Sequence, residues 1–116
     1  MYKERRIKRR HLFFYLQISD VKAKKLLGYI VDISPQGFRV VSEDVCKAGL
    51  VYDLRMKIPD KMGLIKEINF KAKCAWSGLD ANSDFYANGF ELKNLSNDNV
   101  NSIEDIINEY GFEDLE

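Results

Sequence analysis

The stretch LLGYIVDISPQGFRVVS, residues 26–42, decides the fold of this chain. Leu26 to Ile33 is rich in branched apolar residues and is typical of a β-strand, with a bulge expected near Gly28. Ser34 to Gly37 contains a proline and a glycine within four residues, which favours a tight reversal before a second strand from Phe38 to Ser42. The stretch therefore predicts a β-hairpin.

One further strand is expected before this hairpin and three after it, because apolar residues alternate there with polar or small ones. No helical pattern interrupts the strands, so an antiparallel barrel or sandwich is favoured over a parallel sheet. The expected strands are centred on Leu12–Ile18, Leu54–Ile58, Ile68–Trp76 and Phe85–Leu92.

The end of the chain changes period. Apolar residues recur there at helical spacing, with Ser96 or Asp98 placed to cap the start and Gly111 to stop the end. The pattern predicts one amphipathic helix over residues 96–110. Its apolar positions are Val100, Ile103, Ile106, Ile107 and Tyr110.

Length and composition favour a single small domain. The chain has 116 residues, of which 46% are hydrophobic and 31% charged, enough for one core. Its longest apolar run, Leu12 to Leu16, is far too short to cross a bilayer or to form a signal peptide, so we expect a cytoplasmic protein without membrane insertion. Cys46 and Cys74 lack a CxxC spacing and His11 is the only histidine; we expect buried, reduced thiols and no metal site.

Charge is distributed unevenly although the net charge is zero. Residues 1–10 contain six basic side chains and one acid, a net charge of about +5. Residues 96–116 contain seven acids and no Lys or Arg. This separation predicts a local positive field that attracts a small anion.

Two motifs carry the functional signal, ERRIKRR at residues 4–10 and DISPQG at residues 32–37. In this order they resemble the RxxxR and [DN]xSxxG motifs of PilZ domains. The segment YANGFEL at residues 86–92, after Trp76 and a polar loop, is similar to the second half of that fold. The first motif matches at Arg6 and Arg10, preceded by Arg5, and the second at Asp32, Ser34 and Gly37.

The resemblance implies a fold and a domain organisation. The expected fold is mainly β: a six-stranded antiparallel β-barrel of the PilZ, or split-barrel, type with a C-terminal α-helix. One domain would span residues 1–116, with a flexible basic arm at 1–10, the barrel at 11–93 and the helix at 96–110.

The resemblance also implies a receptor for cyclic di-GMP, a ligand often bound as two stacked molecules, rather than an enzyme. Guanidinium groups such as those of Arg5, Arg6 and Arg10 can grip phosphates and the O6 and N7 acceptors of guanine. Asp32 can accept from the guanine N1–H and exocyclic amine, and Ser34 can bond nearby. Gly37 is expected to turn the backbone at positive φ beside the ligand. Secondary candidates for contact are Arg9, His11, Trp76 and Gly89.

Signalling would require a downstream partner protein, which the sequence does not identify. Like-charge repulsion should keep the arm disordered until the ligand phosphates neutralise its arginines and dock it on the barrel. Catalysis finds no support, since no nucleophile lies near a histidine in any recognisable pattern and no phosphate-binding GxxxxGK[ST] loop is present. No cofactor is expected.

Alternatives remain open at this point. Asp32 and Ser34 are also suited to capping a turn, and Trp76 to packing in the core or at the barrel rim. The chain could be a PilZ-like interaction module that binds no ligand, or a small barrel that binds nucleic acid. Zero net charge and the acidic helix count against a nucleic-acid partner. Oligomeric state and ligand stoichiometry are left open.

Overall fold

Alternating apolar residues form β-strands in every segment where the sequence predicts one. The computed structural model describes residues 10–59, 62–92 and 97–113. Within them, each predicted strand is present, and all but the sixth extend beyond their predicted limits by one to three residues. The elements are β1 Arg10–Asp20, β2 Lys25–Ser34, β3 Gly37–Ser42, β4 Val51–Pro59, β5 Ile65–Leu79, β6 Tyr86–Leu92, α1 Asn97–Tyr110 and β7 Gly111–Glu113.

The strands close into a six-stranded antiparallel barrel. Their order is β2-β3-β6-β5-β4-β1, and pairing of β1 with β2 completes the ring. Closure leaves no free edge among these six strands. The expected six-stranded barrel with a C-terminal helix is confirmed.

A short seventh strand was not predicted. Gly111 ends the helix as expected, but the chain then pairs residues 111–113 with Arg10–Leu12 at the start of β1. Three residues are too few for a periodic pattern, so only the tertiary contact with β1 defines this strand. β1 itself begins at Arg10, a residue that the sequence analysis assigned to the basic arm.

Alternate residues of β3, β4 and β5 fill the barrel interior. Along β5, Ile68, Phe70, Ala72 and Cys74 point inward between exposed neighbours, as alternation requires. Near the turn between β2 and β3, Phe38 stacks on Phe90 at 5.3 Å and meets Phe70 edge-on at 5.8 Å. Both geometries are favourable for aromatic rings.

Helix α1 covers the barrel with its apolar face. Ile103 and Ile106 are almost completely buried in the barrel core, while Glu104 and Asp105 face solvent. The Lys66 Nζ donates to Ser102 Oγ at 3.0 Å and ties the helix to β5. The described helix is neither long nor apolar enough to span a bilayer.

Both cysteines are buried, free thiols, as expected. Burial raises the pKa of the Cys46 thiol to about 11, with a smaller contribution from the neighbouring Cys74. Burial also raises the pKa of Cys74. Within the part of the chain that the structure describes, no group of three or more His, Cys, Asp or Glu side chains lies together as a metal site would need.

Several predictions about the basic arm fall outside the described residues. These are its flexibility, its docking on ligand binding and the positions of Arg5, Arg6 and Arg9.

Candidate ligand-binding site

Strand register places five candidate positions in one row across the barrel. His11 on β1 lies opposite Asp32 on β2, which lies opposite Arg39 on β3. Arg39 in turn lies opposite Gly89 on β6, and Gly89 opposite Trp76 on β5. Directly opposite residues of antiparallel strands share a face. Ile33 beside Asp32, and Phe38 and Val40 beside Arg39, belong to the core, so the row lies on the outer face at Asp32 and Arg39.

Asp32 is the chemically most unusual residue of the row, because its carboxylate is buried and only half satisfied. The residue is 2% exposed. Its Oδ2 accepts a hydrogen bond from Arg39 Nε at 3.0 Å. Its Oδ1 is buried and has no hydrogen-bond partner among the described residues. Such an oxygen is costly to leave unpaired, so this position is poised to accept a donor.

Arg39 was missed in the sequence analysis, although a signal for it was present. Its side chain is 32% exposed, so the guanidinium can contact both Asp32 and a molecule outside. A two-residue turn at Pro35 and Gln36 pairs Ser34 with Gly37 and therefore Asp32 with Arg39. Counting residues outward from this turn would have predicted that Arg39 lies opposite Asp32.

Ser34 serves the turn between β2 and β3. Its Oγ donates to Gly37 O at 3.3 Å and accepts from the Gln36 N–H at 3.3 Å. The turn is further held by the Leu92 N–H, which donates to Gln36 O at 2.9 Å. The turn-capping role is therefore present for Ser34, but not for Asp32, whose hydrogen bond crosses to the neighbouring strand.

Gly37 has a different reason to be glycine from the one predicted. The expectation of a positive φ at Gly37 is wrong: among the described glycines, only Gly49 and Gly63 have a positive φ. Instead, β3 and β6 approach so closely that a Cβ atom on Gly37 would overlap the Phe90 carbonyl oxygen. Glycine is therefore needed at position 37 because no side chain fits between the two backbones.

Trp76 packs against Gly89 at the far end of the row. A Cβ atom on Gly89 would overlap the indole of Trp76, so the ring lies across the glycine. Trp76 nevertheless remains 42% exposed. It is thus an outer-surface aromatic in line with Asp32 and Arg39; its exposure contradicts packing in the core but not packing at the barrel rim.

The start of β1 brings the backbone of Arg10, the last residue of the arginine motif, close to Asp32. Arg10 lies opposite Ile33 in the register, next to the His11–Asp32 pair. Arg6 precedes Arg10 by four residues, which span at most about 14 Å of chain. The structure thus brings the backbone of Arg10 and His11 to Asp32, while Arg5, Arg6 and Arg9 lie outside the described residues.

Comparison with known protein families assigns the whole domain to one of them. The family model of the PilZ domain matches residues 3–109. The chain belongs to the PilZ domain family. PilZ proteins are receptors or adaptors rather than enzymes. No curated protein matches the sequence of this PilZ domain.

Solved structures show the same fold at low sequence identity. The inhibitor of motility MotI/DgrA from Bacillus subtilis superposes with a TM-score of 0.68 at 17% identity, over 92% of this chain and 51% of that one. YcgR from Escherichia coli in complex with c-di-GMP gives 0.66 at 16% identity, over 89% and 44%. The PilZ domain of YcgR with c-di-GMP gives 0.62 at 16%, over 90% and 89%. This PilZ domain therefore spans about half the length of MotI and of the longer YcgR chain.

Proposed function

We propose that this PilZ domain is a receptor for cyclic di-GMP that passes the signal to a partner protein. Family membership supports the proposal, and the solved YcgR complexes contain this ligand on the same fold. The proposed site consists of the outer row from Asp32 to Trp76 together with the arginines that lead into β1.

The observation that carries the proposal is the unpaired Asp32 Oδ1 beside Arg39. Guanine presents two kinds of group on neighbouring edges: the N1–H and exocyclic amine donate, whereas O6 and N7 accept. Asp32 supplies an acceptor for the first and Arg39 supplies donors for the second. The pair therefore matches one guanine base.

The remaining ligand groups match the rest of the site. The two phosphates would be held by Arg6 and Arg10, with Arg5 and Arg9 adding charge, since guanidinium groups bind phosphate bidentately. Trp76 offers an exposed aromatic surface for stacking. Ser34 and Gly37 shape the turn that borders the base, and no cofactor takes part.

Titration calorimetry with cyclic di-GMP tests the proposal. We expect micromolar or tighter binding by the parent chain, and at least about a tenfold loss in Arg6→Ala and Asp32→Ala, because each removes charge-assisted hydrogen bonds. Asp105→Ala is the matched control, since this exposed helix acid lies away from the row. Circular dichroism establishes that each variant is folded.

The same experiment separates the alternative functions. A flat titration of the folded parent would favour an interaction module that binds no ligand. An oligonucleotide that stays bound against excess cyclic di-GMP would favour a nucleic-acid-binding barrel. Cyclic di-AMP is the specificity control, since adenine lacks the N1–H that Asp32 is proposed to accept.

A further inference from the structure

A concave surface lies on the outside of the barrel beside the outer row. It is a cleft of about 590 Å³ where the first half of β2, the end of β3 and the loop 80–85 meet. This volume is in the range of ordinary binding pockets. Neither the family match nor the proposed ligand site accounts for it.

The floor of the cleft is largely apolar, since Leu26, Tyr29, Val31 and Val41 line it. β2 bulges twice in this region, with register shifts at Leu27 against β1 and at Val31 against β3. Between the bulges, Gly28 lies against the β3 backbone, where a Cβ atom would overlap Val41 O. Tyr29 is 41% exposed, so the floor is accessible to a partner.

The rim of the cleft is acidic. Glu43 and Asp44 follow β3, and Asp80 follows β5 on the other side. Neither Lys nor Arg occurs among the described residues that line the cleft. Lys25, just outside, approaches Asp44 at 3.9 Å, but both side chains are largely exposed, so the pair offsets little of the negative field.

The cleft adjoins the proposed ligand site through a single strand. Val31 lines the cleft, and the next residue, Asp32, holds Arg39 in the outer row. Charged residues differ along β2: Arg10 and Arg39 lie opposite its end in the strand register, whereas Glu43 and Asp44 of the rim lie beside its beginning. A basic partner would thus be attracted to the acids of the cleft, whereas an anionic ligand would be attracted to arginines. The two would therefore not compete for the same groups.

We propose that this cleft is the docking surface for the downstream partner, which enters it with a segment carrying Lys or Arg beside large apolar side chains. The inference rests on the proposed receptor function, since it names the surface that transmits the signal. Apolar side chains of the segment fill the floor over Tyr29 and Val41, and its basic groups meet Glu43, Asp44 and Asp80. The bulge at Val31 connects this contact to Asp32.

Fluorescence polarisation with a short labelled peptide of alternating lysine and leucine tests the surface. We expect the peptide to bind the parent chain, and Glu43→Lys/Asp44→Lys to weaken binding by about tenfold through reversal of two surface charges. Glu104→Lys/Asp105→Lys is the matched control, because it reverses an identical Glu-Asp pair on the exposed side of α1. This control should bind the peptide like the parent. Peptides with serine for leucine or glutamate for lysine should bind weakly.

Backbone amide shifts of the parent chain locate the contact. Shifts concentrated at Leu26–Val31, Val41–Asp44 and the loop 80–85 support the proposal. Equal weakening by both charge-reversed variants, or shifts elsewhere, would overturn it. So would sedimentation showing that a second copy covers the cleft, or cleft shifts that depend on residues 1–9 of the same chain.

The two proposals fail in distinguishable ways. Glu43→Lys/Asp44→Lys should bind cyclic di-GMP like the parent in calorimetry. Lost peptide specificity with intact cyclic di-GMP binding overturns only the docking surface. Absence of cyclic di-GMP binding by the parent overturns the receptor function.

Discussion

Removing Arg39 should destabilise the domain more than removing its partner Asp32. The Asp32 side chain is 3% exposed, and its single described hydrogen bond comes from Arg39. Arg39→Ala would leave a buried carboxylate with neither oxygen paired to a described residue. Breaking a fully buried ion pair in this way costs about 3–5 kcal/mol. Because Arg39 is 32% exposed, water can replace part of its contact, and we expect about 2 kcal/mol.

Asp32→Ala should cost less, about 1 kcal/mol, because the freed guanidinium can turn toward water. The double variant should therefore be more stable than Arg39→Ala alone, with a coupling energy of about 1 kcal/mol or more. Urea unfolding followed by the fluorescence of the single tryptophan measures all four proteins. An unchanged m-value would show that only stability has changed.

An exposed ion pair provides the control for this cycle. Arg55 Nε and Glu67 Oε1 lie 3.8 Å apart, with both side chains at least 40% exposed. Their coupling energy should stay below about 0.5 kcal/mol. If the Asp32–Arg39 pair couples no more strongly than this one, or if the double variant is the least stable, the buried-pair reasoning fails.

Three further predictions follow from single positions. Gly37→Ala should lower the free energy of unfolding by about 2 kcal/mol or more, since the new Cβ meets a backbone carbonyl of β6. Gly78→Ala is the control: a Cβ there has nothing within 4 Å, so its free energy of unfolding in urea should be near that of the parent. Cys46 has a folded-state pKa of about 11 against an ordinary 9.0. The protonated thiol therefore contributes its full stability below pH 9.0, and this stability is lost as the pH rises toward about 11. The melting temperature should fall over this range, and the fall should be smaller in Cys46→Ala. Trp76 fluorescence should change on titration with cyclic di-GMP, as the exposed indole lies in line with Asp32.

Each of these predictions has a result that would contradict it. Equal stability of the two glycine variants would mean that β3 and β6 can separate without cost. An alkaline loss of stability identical in parent and Cys46→Ala would assign that loss to other groups. A fluorescence change that persists in Asp32→Ala at the same ligand concentration would place the ligand elsewhere.

Local pattern was sufficient for most of the fold because barrel strands alternate in and out of one core. Phe38 to Ser42 and Ile68 to Trp76 were assigned correctly for this reason. Gly37 was expected to be glycine for its φ, since proline and glycine in one turn suggest that chemistry. The true cause is the close approach of β6, whose residues lie some 50 positions further along the chain, and local pattern does not contain it.

The sequence by itself determined the six barrel strands and the closing helix, because periodicity and turn chemistry act over a few neighbouring residues, and its resemblance to the PilZ motifs indicated Asp32, Ser34 and Gly37. Only the tertiary structure decided that Asp32 is buried against Arg39 with one oxygen unpaired, and that Trp76 lies across Gly89 in the same row. Those relations depend on register between strands and on bulges, which shift every side chain beyond them. The acidic cleft likewise exists only because loops distant in sequence meet over the first half of β2.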